Sequence, residues 1–135
     1  MREMDRLEPM TILIVEDQSL ISLQLVYILQ SWAPSASIVI AANGQEGLLQ
    51  AREVRPDLII TDLAMPKMDG YELVKTLRQE QDGSSISIIG ISASDPADVK
   101  ASAFRRLCDD IIDKPFSPQE VLYKIAKFLR TKTIK

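Results

Sequence analysis

Five short apolar runs alternate with five longer stretches of helical length, and this alternation restricts what the chain can fold into. Thr11–Val15 (TILIV) is apolar and rich in β-branched residues, which fits a strand buried on both faces. Ser19–Trp32 is long enough for a helix. Ser37–Ala41 is a second strand, and Asn43 then caps a helix to about Glu53, with Glu46 three residues on to form a capping box. Arg55-Pro56 ends that helix, because a residue before proline avoids helical angles. Leu58–Thr61 is the third strand, followed by a loop with Pro66 and Gly70 and a helix from Asp69 to Gln79. After the loop at 81–84 come a strand over Ile86–Ser92 and a shorter helix over about Asp95–Phe104. Asp109–Ile112 is the fifth strand. Ser117, Pro118 and Glu120 open the last helix as cap, first helical residue and third, and it runs to about Arg130.

Such alternation implies an α/β chain: a parallel sheet with helices on both faces and right-handed crossovers. For five strands the expected order is 2-1-3-4-5, the flavodoxin-like (βα)5 three-layer sandwich. Ligands of such folds bind at the carboxyl ends of the strands, near the switch point between strands 1 and 3. One domain is expected over residues 11–131, with an N-terminal extension at 1–10 and a tail at 132–135.

Composition removes several functions. With 135 residues, 46% of them apolar, a core of ordinary size can form. The net charge of −3 gives no general basis for nucleic-acid binding, which depends on cationic contacts to phosphates. There is no histidine, so no histidine base, metal ligand or phosphohistidine exists within the chain. Cys108 is the one cysteine, which excludes an intrachain disulfide and a cysteine-rich zinc site. No stretch approaches the ~20 apolar residues of a membrane span, and residues 1–10 lack the apolar core of a signal peptide. The expected location is the cytoplasm.

Five polar residues fall at the carboxyl ends of the expected strands: Glu16 and Asp17 after the first, Asp62 after the third, Ser92 at the end of the fourth and Lys114 after the fifth. Carboxylates gathered in two adjacent loops repel and raise one another's pKa, and a bound cation relieves this. An oxygen-only donor set suits a hard divalent ion, Mg²⁺ above all. Lys114 and the Ser92 hydroxyl can then meet phosphoryl oxygens, with one carboxylate as nucleophile. Taken singly, each residue has a plainer reading. Glu16 and Asp17 can cap a helix, Asp62 can be a loop acid, Ser92 can bond its own backbone, Lys114 can be a solvated charge, and Asp69-Gly70 can be a turn.

Four segments together resemble the signatures of response-regulator receiver domains: ILIVED at 12–17, Asp62-Leu-Ala-Met-Pro-Lys-Met-Asp-Gly70, Ile91-Ser92-Ala93 and Asp113-Lys114-Pro115-Phe116. They occur in the family's order and spacing. The resemblance implies that Asp62 takes a phosphoryl group from the phosphohistidine of a sensor histidine kinase or phosphotransfer protein. It implies Mg²⁺ held by Asp17, Asp62 and the backbone carbonyl of Ala64, with Glu16 acting mostly through water. Lys114 would contact the phosphoryl group. Ser92 would move toward it and remodel the fourth helix and fifth strand, signalling to a downstream protein. It further implies a cis bond before Pro115. No turnover of an outside substrate is expected.

The chain departs from the family at Ile111, where receivers usually carry Tyr or Phe three residues before the lysine. Isoleucine has no ring to turn inward and few rotamers, so a muted transition is expected over the fourth helix, fifth strand and fifth helix. Small residues at Ala64 and Ser94 give water access to an acyl phosphate, and a short-lived phosphorylated state is expected. On the first helix, Ile21, Leu25, Ile28, Leu29 and Trp32 share a core face. Leu23, Val26 and Tyr27 point elsewhere and are expected to dock the phosphodonor, the plainer reading being a self-contact or partial burial. Two other classes remain beside the receiver: a pseudo-receiver that never takes phosphate, favoured only by Ile111, and an aspartate-nucleophile phosphohydrolase. The latter commonly has a second acid two residues after the nucleophile, where this chain has Ala64.

Overall fold

A computed structural model describes residues 10–81, 85–93 and 97–134, with side chains as far as Phe128. The expected extension before Met10, the 82–84 loop, Ser94 and the start of the expected fourth helix at 95–96 therefore lie outside the described residues. The elements are β1 (Thr11–Val15), α1 (Ser19–Trp32), β2 (Ser37–Ala41), α2 (Gly44–Val54), β3 (Leu58–Asp62), α3 (Gly70–Gln79), β4 (Ser87–Ser92), α4 (Val99–Leu107), β5 (Asp110–Asp113) and α5 (Pro118–Ile134). The five strands form one parallel sheet in the order β2-β1-β3-β4-β5, as expected of a flavodoxin-like sandwich.

Side chains of successive strand residues point to opposite faces, so every inner strand feeds two cores. Ile12 and Ile14 pack with Leu25 and Leu29 of α1 and Val121 and Ile125 of α5. Leu13 and Val15 pack with Leu48 of α2, Leu73 and Leu77 of α3 and Phe104 of α4. Each fully buried Leu or Ile contributes about 1.5–3 kcal/mol. This explains why β1 and β3 carry continuous apolar runs, Ile12–Val15 and Leu58–Ile60, instead of alternating.

The helix starts follow their caps. The Asn43, Asp69 and Ser117 side chains accept the backbone N–H of Glu46, Glu72 and Glu120 at 2.9, 2.9 and 3.1 Å. Asp98 caps α4, accepting from Lys100 and Ala101. The fourth helix thus begins at Val99 and reaches Leu107, later than the expected Asp95–Phe104 at both ends. Arg55 ends α2 before Pro56, but with φ 48 it is left-handed instead of extended. Residues 130–134 hold no Gly or Pro to stop a helix, and α5 continues to Ile134.

Candidate functional site

The parallel register gathers the strand ends. Val15 stands opposite Thr61, Asp62 opposite Ile91 and Ser92 opposite Asp113, so Glu16, Asp62, Ser92 and Lys114 share one edge. Backbone bonds close the loops there: Glu16 N–H donates to Ala41 C=O, Leu63 N–H to Ile91 C=O and Lys114 N–H to Ser92 C=O, at 3.0, 3.1 and 3.0 Å.

Asp62 is 4% exposed although it is an acid. Its Oδ1 accepts the Leu63 N–H at 2.8 Å and its Oδ2 the Lys114 ammonium at 3.1 Å. Carboxylate oxygens of Glu16, Asp17 and Asp62 lie within 4.8 Å of one another. Asp17 is exposed at the rim, whereas Glu16 is buried. The Ser92 side chain is buried at the end of β4, and Ala64 is exposed two residues after Asp62. The peptide bond between Lys114 and Pro115 is cis.

Glu16 carries the sharpest electrostatic signal. Its Oε2 accepts the Gln18 N–H at 3.1 Å, while Oε1 is buried with no hydrogen-bond partner. Burial first, and then the neighbouring Asp62 carboxylate, push its pKa up to about 7. A buried, unpartnered carboxylate oxygen is costly. A divalent cation would satisfy it, and the all-oxygen donor set of two aspartates, a glutamate and loop carbonyls fits Mg²⁺.

Gly70 fixes the loop that carries Asp62. Its N–H donates to Leu63 C=O at 2.7 Å. A Cβ at this position would meet the Asp62 carbonyl oxygen at 2.1 Å, so only glycine permits the close approach.

The other candidate residues lie apart from the acids. Ile111 is 8% exposed and packs in the core that holds Phe104. On α1, Leu23 and Tyr27 are exposed, while Val26 is half-buried against the core, on the flank of the helix. Leu20 was missed by the sequence reading and is 79% exposed. It lies three residues before Leu23 and seven before Tyr27, a helical spacing that already marked one face. Also missed were the Lys100–Asp69 ion pair and the contacts of Arg78, which join residues far apart in the chain.

The sequence profile of the response regulator receiver domain matches residues 12–126. The chain is 35% identical over 123 residues to the alkaline phosphatase synthesis transcriptional regulatory protein PhoP of Bacillus subtilis, covering 91% of this chain and 50% of that one. It thus spans about half the length of that relative. The signal receiver domain of a signal transduction histidine kinase from Syntrophus aciditrophicus superposes with a TM-score of 0.80 at 31% identity, covering 90% of this chain and 91% of that chain. The chemotaxis protein CheY4 of Vibrio cholerae superposes with a TM-score of 0.78 at 26% identity, covering 90% of this chain and 99% of that one. Profile, sheet order and relatives agree, and the chain belongs to the response regulator receiver domain family of two-component signalling.

Proposed function

We propose that Asp62 accepts a phosphoryl group from the phosphohistidine of a separate sensor kinase or phosphotransfer protein, and that the change is passed to a protein partner. The observation that carries this reading is a buried aspartate with its Oδ2 3.1 Å from a lysine ammonium and two further carboxylates within 4.8 Å. An ordinary loop acid has no such surroundings.

In the transfer, an Asp62 carboxylate oxygen bonds to phosphorus as the phosphorus–nitrogen bond of the donor's protonated imidazole breaks, and the bonding pair stays on the departing nitrogen, which leaves as neutral imidazole. Lys114 holds the nucleophile and then offsets charge on the phosphoryl oxygens. Ser92 supplies a hydroxyl donor to the same group and acts as the first part of the switch. Asp17, Asp62 and the Ala64 carbonyl would hold Mg²⁺, with Glu16 engaging it mostly through water. When bound, the ion neutralises part of the charge on the transferring group. Glu16 and Asp17 exclude other anions from the pocket until their charge is balanced. The small Ala64 side chain offers little shielding to an acyl phosphate on Asp62, which favours a short-lived phosphorylated state.

The folded unit is taken as residues 11–131, either as a stand-alone regulator or as the receiver part of a longer regulator or hybrid kinase. The exposed α1 residues Leu23 and Tyr27, with Leu20 before them and Val26 on their flank, form the docking surface for the phosphodonor. Cytoplasmic signalling suits this role, and no helix of the described residues is long and apolar enough to cross a membrane.

A non-phosphorylated interaction module is the second reading, favoured by Ile111 in place of an aromatic switch residue. Intact-mass measurement with acetyl phosphate and Mg²⁺ separates the two. The expected result is one added phosphoryl group in wild type and none in Asp62→Asn. Wild type without the added mass selects the second reading.

A further inference from the structure

The helices that follow the two central loops of the site are joined by an ion pair. Asp69, the cap of α3, uses Oδ1 for the Glu72 N–H at 2.9 Å and Oδ2 for the Lys100 ammonium at 2.9 Å. Lys100 is the second residue of α4. Asp69 is also tied to the nucleophile, because Gly70 beside it packs on the Asp62 carbonyl and bonds to Leu63 C=O.

Among the described residues, the two ends of α4 are held differently. At its C-terminal end, Arg78 of α3 donates to Leu107 C=O at 3.0 Å, to Ile86 C=O at 2.7 Å and to Asp109 at 3.0 Å. Phe104 is fully buried there, with its ring against the bare backbone of Gly90. At the N-terminal end, Val99 is 81% exposed and the Lys100 side chain 53% exposed. Ala101 is buried in the core beside it, and the Lys100–Asp69 pair, 53% exposed on the lysine and 20% on the aspartate, is thus a partly exposed attachment at the less firmly held end of the helix.

We propose that Lys100 is a positioning residue: its pair with Asp69 holds the first turn of α4 in the resting arrangement, and release of this pair is linked to phosphorylation of Asp62. The inference rests on Asp62 as phosphoryl acceptor. Phosphorylation turns the single negative charge of the Asp62 carboxylate into the roughly two of a phosphoryl group, beside the loop that Asp69 closes, and the added charge competes with the Asp69 carboxylate for the exposed ammonium. An interaction present only in the resting state opposes the phosphorylated one, and removing it shifts the balance by its own strength. For an exposed ion pair that is about two- to fivefold.

A double-mutant cycle tests this. Lys100→Met removes the charge and keeps the stem. Asp69→Asn removes the charge and keeps a good helix cap. Phosphorylation by acetyl phosphate with Mg²⁺ is followed by intact mass. Each single variant is expected to react about two- to fivefold faster than wild type. The double variant is expected to be no faster than either, and Lys100→Arg to return to the wild-type rate. Amides of residues 99–103 in unphosphorylated Lys100→Met are expected to move toward their positions in phosphorylated wild type. An unchanged or slower rate in Lys100→Met, multiplying effects in the double variant, or static amides overturns the inference. If wild type gains no phosphoryl mass, the reading of Asp62 itself fails, and this inference falls with it.

Discussion

Lys114 Nζ stands 3.1 Å from Asp62 Oδ2, joining the ends of β3 and β5 across the intervening β4. Both side chains are largely covered, at 5% exposure for Asp62 and 22% for Lys114. Removing the ammonium leaves a buried carboxylate facing two others. Lys114→Met is therefore expected to lose roughly 2–3 kcal/mol of stability at pH 7 without divalent cation. It is also expected to accept phosphate from acetyl phosphate at least ~10-fold more slowly. Denaturant titration and a mass time course measure the two effects separately. A variant with the wild-type rate would show that the lysine pairs with the acid but takes no part in transfer.

Glu16 makes stability depend on pH. Its folded pKa is raised to about 7 from an ordinary 4.5 by burial and by Asp62. The folded chain therefore holds this proton more tightly than the unfolded chain. Stability from this group is full below pH 4.5 and falls as pH rises toward 7. Glu16→Gln keeps an acceptor for the Gln18 N–H and removes the charge. It is expected to raise stability by about 2–3 kcal/mol at pH 7.5 and by almost nothing at pH 4. Millimolar Mg²⁺ should shrink the difference at pH 7.5 by stabilising wild type more. Melting curves at the two pH values, with and without the cation, check all three expectations.

Gly70 can be tested as a steric position. The added methyl of Gly70→Ala would stand 2.1 Å from the Asp62 carbonyl oxygen and 2.9 Å from Leu63 Cα, both backbone atoms that cannot rotate away. The loop must shift, at an expected loss of roughly 2–3 kcal/mol. Since the strain falls next to the nucleophile, phosphorylation should also slow in the fraction that remains folded. A wild-type melting temperature would show that the loop yields freely.

The strands and the acidic edge were legible because they rest on local pattern. Parallel strands buried on both faces carry apolar runs, and Glu16, Asp17, Asp62, Ser92 and Lys114 each lie within two residues of the end of such a run. Boundaries shifted where side chains from elsewhere took over backbone groups. The Ile86 carbonyl is taken by Arg78, and β4 starts at Ser87 instead. The Asp109 carboxylate binds Arg78 and the Ile88 N–H, and β5 runs over Asp110–Asp113, one residue later than expected. The Lys100–Asp69 pair spans 31 residues of sequence, and no local spacing announces it. Val26 was read as outward-pointing with Leu23, yet it lies on the side of α1 that curves back toward the sheet.

Ile111 bears on how far a change at Asp62 travels. It is buried among α4 and sheet residues, and its carbonyl accepts from Lys124 of α5. A β-branched side chain in a filled core has no second rotamer to move into. Amide shifts on adding a phosphoryl mimic are therefore expected to be large at residues 16–17, 62–64 and 92–93 and smaller across 95–125. Shifts of equal size in both regions would mean that another residue replaces the missing ring.

The exposed face of α1 gives the clearest separation of partner binding from chemistry. Leu20, Leu23 and Tyr27 are 79%, 60% and 77% exposed, and the helix begins two residues after Asp17. Exposure of an apolar ridge of this kind to water raises the free energy, and covering it lowers it. A cavity of about 140 Å³ beside it is lined by Gln24, Tyr27, Ile28, Phe116 and Pro118, between α1 and the start of α5. A donor helix laid along this ridge would bring its phosphohistidine to the mouth of the acidic pocket. Leu23→Ser with Tyr27→Ser removes apolar area without touching the core. Transfer from a phosphohistidine protein is expected to fall ~10-fold or more, while transfer from acetyl phosphate stays within about twofold, since a small donor needs no ridge. Equal slowing with both donors would place the effect in the pocket and remove the docking role from α1.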